Sequence, residues 1–156
     1  MSLLRTILFS FLLLTTCTSF AANLDKGIEA YKRGNYAAAL SEIRPLADQG
    51  NAKAQKMIGD MYGFGEGVPH DEVEEMKWYR KAAELGNKEA MANAGDFYCT
   101  GRGVVQDDAL ALNWRKKAAD AGSTPAMVGL GKMYWDGQGV AKNQTEALRW
   151  FKEAAN

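Results

Sequence analysis

The sequence predicts an all-α solenoid of about four helix-turn-helix units. Three observations carry that expectation: a 36-residue period, helix start and stop signals at one register in every unit, and small and aromatic residues at fixed places between them. The period is plainest in the glycines. Gly50, Gly86 and Gly122 are 36 residues apart, as are Gly59, Gly95 and Gly131, then Gly65, Gly101 and Gly137, then Gly67, Gly103 and Gly139. The same offset relates Ala54, Ala90 and Ala126; Tyr62, Tyr98 and Tyr134; Val68, Val104 and Val140; and Trp78, Trp114 and Trp150. Paired alanines close each unit, at Ala82-Ala83, Ala118-Ala119 and Ala154-Ala155. A period of this length marks a supersecondary unit that buries its apolar face only by stacking on its neighbours.

Residues 1–21 read as an export signal and are set aside from the fold. One positive charge at Arg5 precedes an apolar run from Thr6 to Leu14, and Ser19-Phe20-Ala21 fits a small-x-small cleavage site that cuts after Ala21. The run is shorter than the roughly 20 residues of a membrane-spanning helix, so no membrane span is expected. Leu14-Thr15-Thr16-Cys17 offers a competing reading as a lipoprotein box, with a lipid on Cys17. Residues 22–156 are expected to form one solenoid of a periplasmic or secreted protein, with units at about 24–50, 51–86, 87–122 and 123–156.

The first unit is short. Tyr31 takes the place of Tyr62 and Leu46-Ala47 that of Ala82-Ala83, with five fewer residues between them. Pro45 falls inside its second helix, and a kink is expected because the ring removes the bond to the Ser41 carbonyl. In the full units helix A starts after Asn51, Asn87 or Ser123, all good N-cap residues, and Pro125 sits in a first turn where a missing N–H does no harm. Helix A ends near Gly65, Gly101 or Gly137, suited to a left-handed C-cap, and Val68, Val104 and Val140 fold the loop back onto the core. Helix B starts at Asp71, Asp107 or Asn143. Glu74 and Glu146 complete capping boxes that Leu110 breaks in the middle unit. It stops where Gly86 and Gly122 offer a C-cap. Gly59 and its repeats lie inside helices at a cost of about 0.8 to 1 kcal/mol each relative to alanine, which implies close helix approach. Tyr62, Trp78 and their repeats fill the remaining space and read as core, not as a cofactor platform.

Chemistry is sparse. Basic and acidic residues balance at 19 each, and loss of Arg5 with the signal leaves one net negative charge, so no basic footprint for nucleic acid exists. Cys99 is the one cysteine left after cleavage, which excludes an intrachain disulfide and suggests a buried, inert thiol. His70 is the single histidine. It sits in a loop beside Pro69 and Asp71, without the partners of a nucleophilic triad. One His and one Cys fall short of the three or four protein ligands of a zinc site. Gly65-x-Gly67-Val68 lacks the strand and third glycine of a dinucleotide loop. Glu72, Glu74 and Glu75 lie in the first turn of a helix, where they complement its dipole. No catalytic residue, cofactor or metal ligand is expected.

The run Ala54-x3-Ile58-Gly59-x2-Tyr62-x2-Gly65-x-Gly67-Val68, then Trp78-Tyr79-x2-Ala82-Ala83-x2-Gly86, resembles the Sel-one-like repeat family, a branch of the tetratricopeptide-like superhelices. The resemblance covers about Leu24 to Asn156. It implies a right-handed superhelix, adaptor or scaffold roles, and a concave side lined by helix A. Two departures stand out: Glu75 replaces the small residue seen at Ala111 and Ala147, and Arg115 replaces the aromatic seen at Tyr79 and Phe151.

On helix A, positions 53, 56, 57, 60 and 63 form one stripe by the i, i+3, i+4, i+7 rule. The stripe reads Lys53, Lys56, Met57, Asp60 and Gly63 in the second unit, and Glu89, Ala92, Asn93, Asp96 and Cys99 in the third. In the fourth it reads Pro125, Val128, Gly129, Lys132 and Trp135. It is expected to be the groove for an unknown protein partner, with Asp60, Asp96 and Lys132 setting polarity, Met57 and Trp135 as apolar anchors, and Asn93 between them. A merely solvated helix face is an equal alternative. The chain stops just after Trp150-Phe151, and end-to-end self-association through the last repeat would cover that layer. Cysteine-rich relatives imply a rival function, binding or hydrolysis of β-lactam-like ligands. The cysteine pairs of those relatives are missing here.

Overall fold

The computed structural model describes residues 23–156. The expected export signal, its cleavage site and the Cys17 alternative lie outside the described residues. Among the described residues eight helices follow one another: α1 over residues 23–32, α2 Tyr36–Asp48, α3 Ala52–Phe64, α4 Glu72–Glu84, α5 Lys88–Thr100, α6 Asp108–Asp120, α7 Thr124–Asp136 and α8 Gln144–Ala154. They pair as α1/α2, α3/α4, α5/α6 and α7/α8. Packing runs between helices adjacent in the chain, with α5 also touching α7. This nearest-neighbour pattern is that of an α-solenoid.

The punctuation works as the residues dictate. Asn51 and Asn87 sit at N-caps with extended backbone, and their side chains accept from Ala54 N–H and Ala90 N–H. Asp71, Asp107 and Asn143 do the same for α4, α6 and α8. Gly65, Gly101 and Gly137 close helix A in the left-handed conformation, with φ of 69°, 73° and 77°. Each long loop is then pinned by one backbone bond from the next N-cap: Asp71 to the Tyr62 carbonyl, Asp107 to Tyr98 and Asn143 to Tyr134. Gly86 and Gly122 lie one residue beyond the caps of helix B and take its left-handed exit turn. In the first unit the deletion is shared between the helix and the loop, and α1 turns into α2 through Arg33, Gly34 and Asn35. Pro45 does not end α2, which continues to Asp48. Ser123 is the exception among the caps: its side chain makes no capping bond.

The core runs the length of the stack as three linked clusters. Ile43, Ile58 and Trp78 anchor the first, Tyr79, Ala90 and Phe97 the second, and Ala119, Leu130 and Trp150 the third. Two cations lie over the buried Trp78 ring, Arg44 of the preceding repeat and Lys81 of its own helix, with their charged groups 5.0 Å and 4.0 Å from its centre. Gly59, Gly95 and Gly131 are where helix B crosses helix A. A Cβ on them would meet the Tyr79 ring, the Arg115 stem and the Phe151 ring.

Each loop also reaches back one repeat. A Cβ at Gly103 would run into the Glu72 carbonyl oxygen, and one at Gly139 into that of Asp108, so both loops lie directly on the first residue of the preceding helix B. The residue before each loop glycine completes the clasp. Glu66 accepts a hydrogen bond from Tyr31 Oη, Arg102 pairs with Glu72 at 2.9 Å and Glu75 at 3.4 Å, and Gln138 donates to Asp108 at 2.9 Å. One position of the period thus joins every repeat to the one before it, with different chemistry each time.

Candidate functional site

Helix A of the second and third repeats walls two adjoining clefts, which share Lys56, Asn93 and Asp96. One, of about 340 Å³, lies between α3 and α5 and is floored by Tyr79, Glu75 and Phe97, with Asp60, Phe64 and Arg102 at its rim. The other, of about 420 Å³, continues between α5 and the start of α7, past Lys88, Glu89, Ala92 and Ser123 to Pro125. Together they form one groove along the stripe.

Its floor is tied from below by helix B. Tyr79 Oη donates to Asp60 Oδ1 at 2.8 Å, and Lys56 pairs with Asp60 Oδ2 at 2.8 Å. One repeat on, Arg115 takes the place of Tyr79 and donates to Asp96 Oδ1 at 2.7 Å. Burial, followed by the Asp60 charge, pushes the Tyr79 hydroxyl far above the usual phenol range, so it stays a donor at any ordinary pH. Glu75 is 6% exposed. Its carboxylate lies 2.5 Å from where a Cβ would stand at Gly63, a place only glycine leaves open. Desolvation is the largest influence on Glu75 and raises its pKa, while Tyr79 and Arg102 oppose the rise. Arg102 also stacks on Phe97 at 4.6 Å from the ring centre. Its own pKa is raised, chiefly by the bond to Glu72.

The predicted residues divide. Asp60, Asn93 and Asp96 line the groove. Met57 is partly buried and packs against the first core cluster. Lys132 and Trp135 lie on α7 away from both clefts, Lys132 exposed and Trp135 47% exposed. Glu75, Phe64, Tyr79, Phe97 and Arg102 were not singled out as groove residues. Glu75 had a signal, as the acidic residue in a small-residue register. Phe64, 72% exposed, had none beyond being an aromatic at a helix end. Among the described residues no group of three or more His, Cys, Asp or Glu is placed to hold a metal, and no helix is long and apolar enough to cross a membrane.

The Sel1 repeat model matches residues 52–87, 88–123 and 124–156. The first helix pair lies outside those matches. A search of curated proteins returned no match. Among solved structures, a Sel1 repeat protein from Oxalobacter formigenes is 36% identical with a TM-score of 0.80, over 85% of this chain and 54% of that one. A protective antigen present in uropathogenic Escherichia coli strains, displaying an SLR fold, is 33% identical with a TM-score of 0.83, over 92% of this chain and 32% of that one. The chain therefore spans about half and about a third of those two proteins. Cysteine rich protein B of Helicobacter pylori, 23% identical with a TM-score of 0.58 over 76% of this chain and 88% of that one, shares the fold. With three matched repeats, their spacing and their helix pairs in agreement, the chain belongs to the Sel1 repeat family.

Proposed function

We propose that this Sel1 repeat chain is an exported, non-catalytic scaffold of the cell envelope that holds a protein partner along the groove from α3 to the start of α7. The supporting observation is the joined pair of clefts, in which helix A presents Lys56, Asn93 and Asp96 to both and leaves Phe64 exposed at one rim. Scaffolds of this family mediate protein interactions through repeat surfaces, and a contiguous polar groove with an aromatic edge suits an extended segment. The experiment is affinity capture from the envelope fraction after brief crosslinking, with the mature chain and a folded Asp60→Asn, Asp96→Asn, Phe64→Ala variant as baits. A partner retained by the first and lost by the second is the expected result; equal retention overturns the groove.

Export is part of the same proposal. It rests on the pattern of residues 1–21, and the expected mature N-terminus is Ala22, read by mass spectrometry of the processed protein. A lipidated Cys17 at the N-terminus would replace the soluble form with an anchored one. Self-association through the last repeat is a second proposal, motivated by Leu148 at 51% and Trp135 at 47% exposure. It predicts a mass that rises with concentration in light scattering and stays monomeric in Leu148→Glu.

A further inference from the structure

The start of α7 differs in chemistry from a capped helix end. Ser123 is its N-cap, yet the Ser123 side chain makes no capping bond. At the same register Asn51 and Asn87 accept from the Ala54 and Ala90 amides. The first N–H groups of a helix have no partner within the helix, and Pro125 contributes none, so the Thr124 and Ala126 amides are left without acceptors among the described residues. Ser123 itself is 4% exposed, its hydroxyl has no hydrogen-bond partner among the described residues, and it lines the cleft of about 420 Å³. Lys88 is held at the same corner, its ammonium 3.2 Å from the Gly122 carbonyl oxygen. Ser123, Thr124 and Lys88 thus line one cleft at the positive end of a helix.

We propose that this corner is a carboxylate-binding subsite, which takes one carboxylate of the peptide segment that the groove holds. The inference rests on the groove reading given above. Amides at a helix N-terminus and a hydroxyl donate to an anion at little reorganisation, and Lys88 adds the formal charge. The other charged groups of the cleft limit what fits. Lys56 is committed to Asp60 and lies 3.8 Å from Glu89, and Asp96 is held by Arg115. Glu89 and Asp96 both line the space, so a single carboxylate balances Lys88 and the helix end, whereas a phosphate dianion brings excess negative charge.

The test is an amide-resolved NMR titration of the mature chain with N-acetylglycine, with N-acetylglycinamide and inorganic phosphate as separate arms. N-Acetylglycine is expected to shift the Thr124 and Ala126 amides saturably, the neutral amide not at all, and phosphate more weakly. Ser123→Asp places a carboxylate of the chain's own at the cap. It is expected to weaken the N-acetylglycine response at least tenfold while raising the melting temperature, and Lys88→Gln to weaken it several-fold with the fold unchanged. Equal shifts with the glycinamide, tighter binding of phosphate, or an undiminished response in Ser123→Asp would each overturn the subsite. If Ser123→Asp captures the envelope partner as well as the unmodified chain does, the subsite falls while the groove reading stands. Loss of capture only in the Asp60, Asp96 and Phe64 variant separates the two in the same way.

Discussion

The second and fourth repeats have the same helices at the same register and carry their bulk there on opposite helices. In the second, helix B carries the large Glu75 and helix A answers with Gly63; in the fourth, helix B carries Ala147 and helix A carries Trp135. Four residues away along helix B the pattern repeats in polarity. Tyr79 hydrogen-bonds to Asp60, whereas Phe151, over Gly131, has no polar group to offer Lys132. The third repeat stands between, with Cys99 above Ala111 in register and Arg115 bound to Asp96. A helix A residue on the groove is therefore chosen together with a helix B residue beneath it. The polar, walled groove and the bare, aromatic end are two outcomes of one steric rule.

The comparison can be broken most severely where the repeats do not differ. Gly103→Ala forces a side chain onto positive φ and into the Glu72 backbone, and is expected to cost about 2–4 kcal/mol in urea unfolding. Next comes the pair itself. Gly63→Ala should destabilise by about 1 kcal/mol, because the Glu75 carboxylate has to swing away from the new methyl and loosen its pairing with Arg102. Gly63→Cys with Glu75→Ala, the pair of the third repeat, should recover most of the loss, giving a coupling of about 1 kcal/mol or more in a double-mutant cycle. Additive losses would show that the two positions do not compensate.

A smaller effect concerns acidity. The folded-state pKa of Glu75 is raised above its usual 4.5, so the folded chain binds that proton more tightly than the unfolded chain. The contribution of this group is present below pH 4.5 and falls as pH rises through the folded pKa. Glu75→Gln should flatten that part of the stability profile, followed by thermal melts across mildly acidic pH. Smallest of all, Trp135→Ala should change stability by no more than about 0.5 kcal/mol, since the side chain is half exposed. A larger loss would place Trp135 inside the fold and erase the contrast between the repeats.

Period, caps and turn glycines were legible in the sequence because each is a local demand: an amide needs an acceptor, a left-handed turn needs a glycine. The groove was legible only along helix A, where helical spacing places Asp60, Asn93 and Asp96 on one face. Its floor was not, because Tyr79, Glu75 and Phe97 reach it by crossings between helices, and helical spacing says nothing about which neighbour lies across. Met57 illustrates the same limit: it keeps the stripe spacing yet turns onto the core. The clasp at Glu66, Arg102 and Gln138 escaped for another reason. A register that changes residue type in every repeat looks unconstrained, although each residue finds a different partner at one place.

That clasp gives the stack a direction. Every long loop is fastened backward, so peeling a repeat from the C-terminal side leaves the remaining loops seated and merely uncovers a helix start that already has its own cap. Peeling from the N-terminal side strips Glu66 of Tyr31 and leaves a loop with nothing beneath it. The repeats overlap like roof tiles, and fraying runs more easily against the overlap than along it.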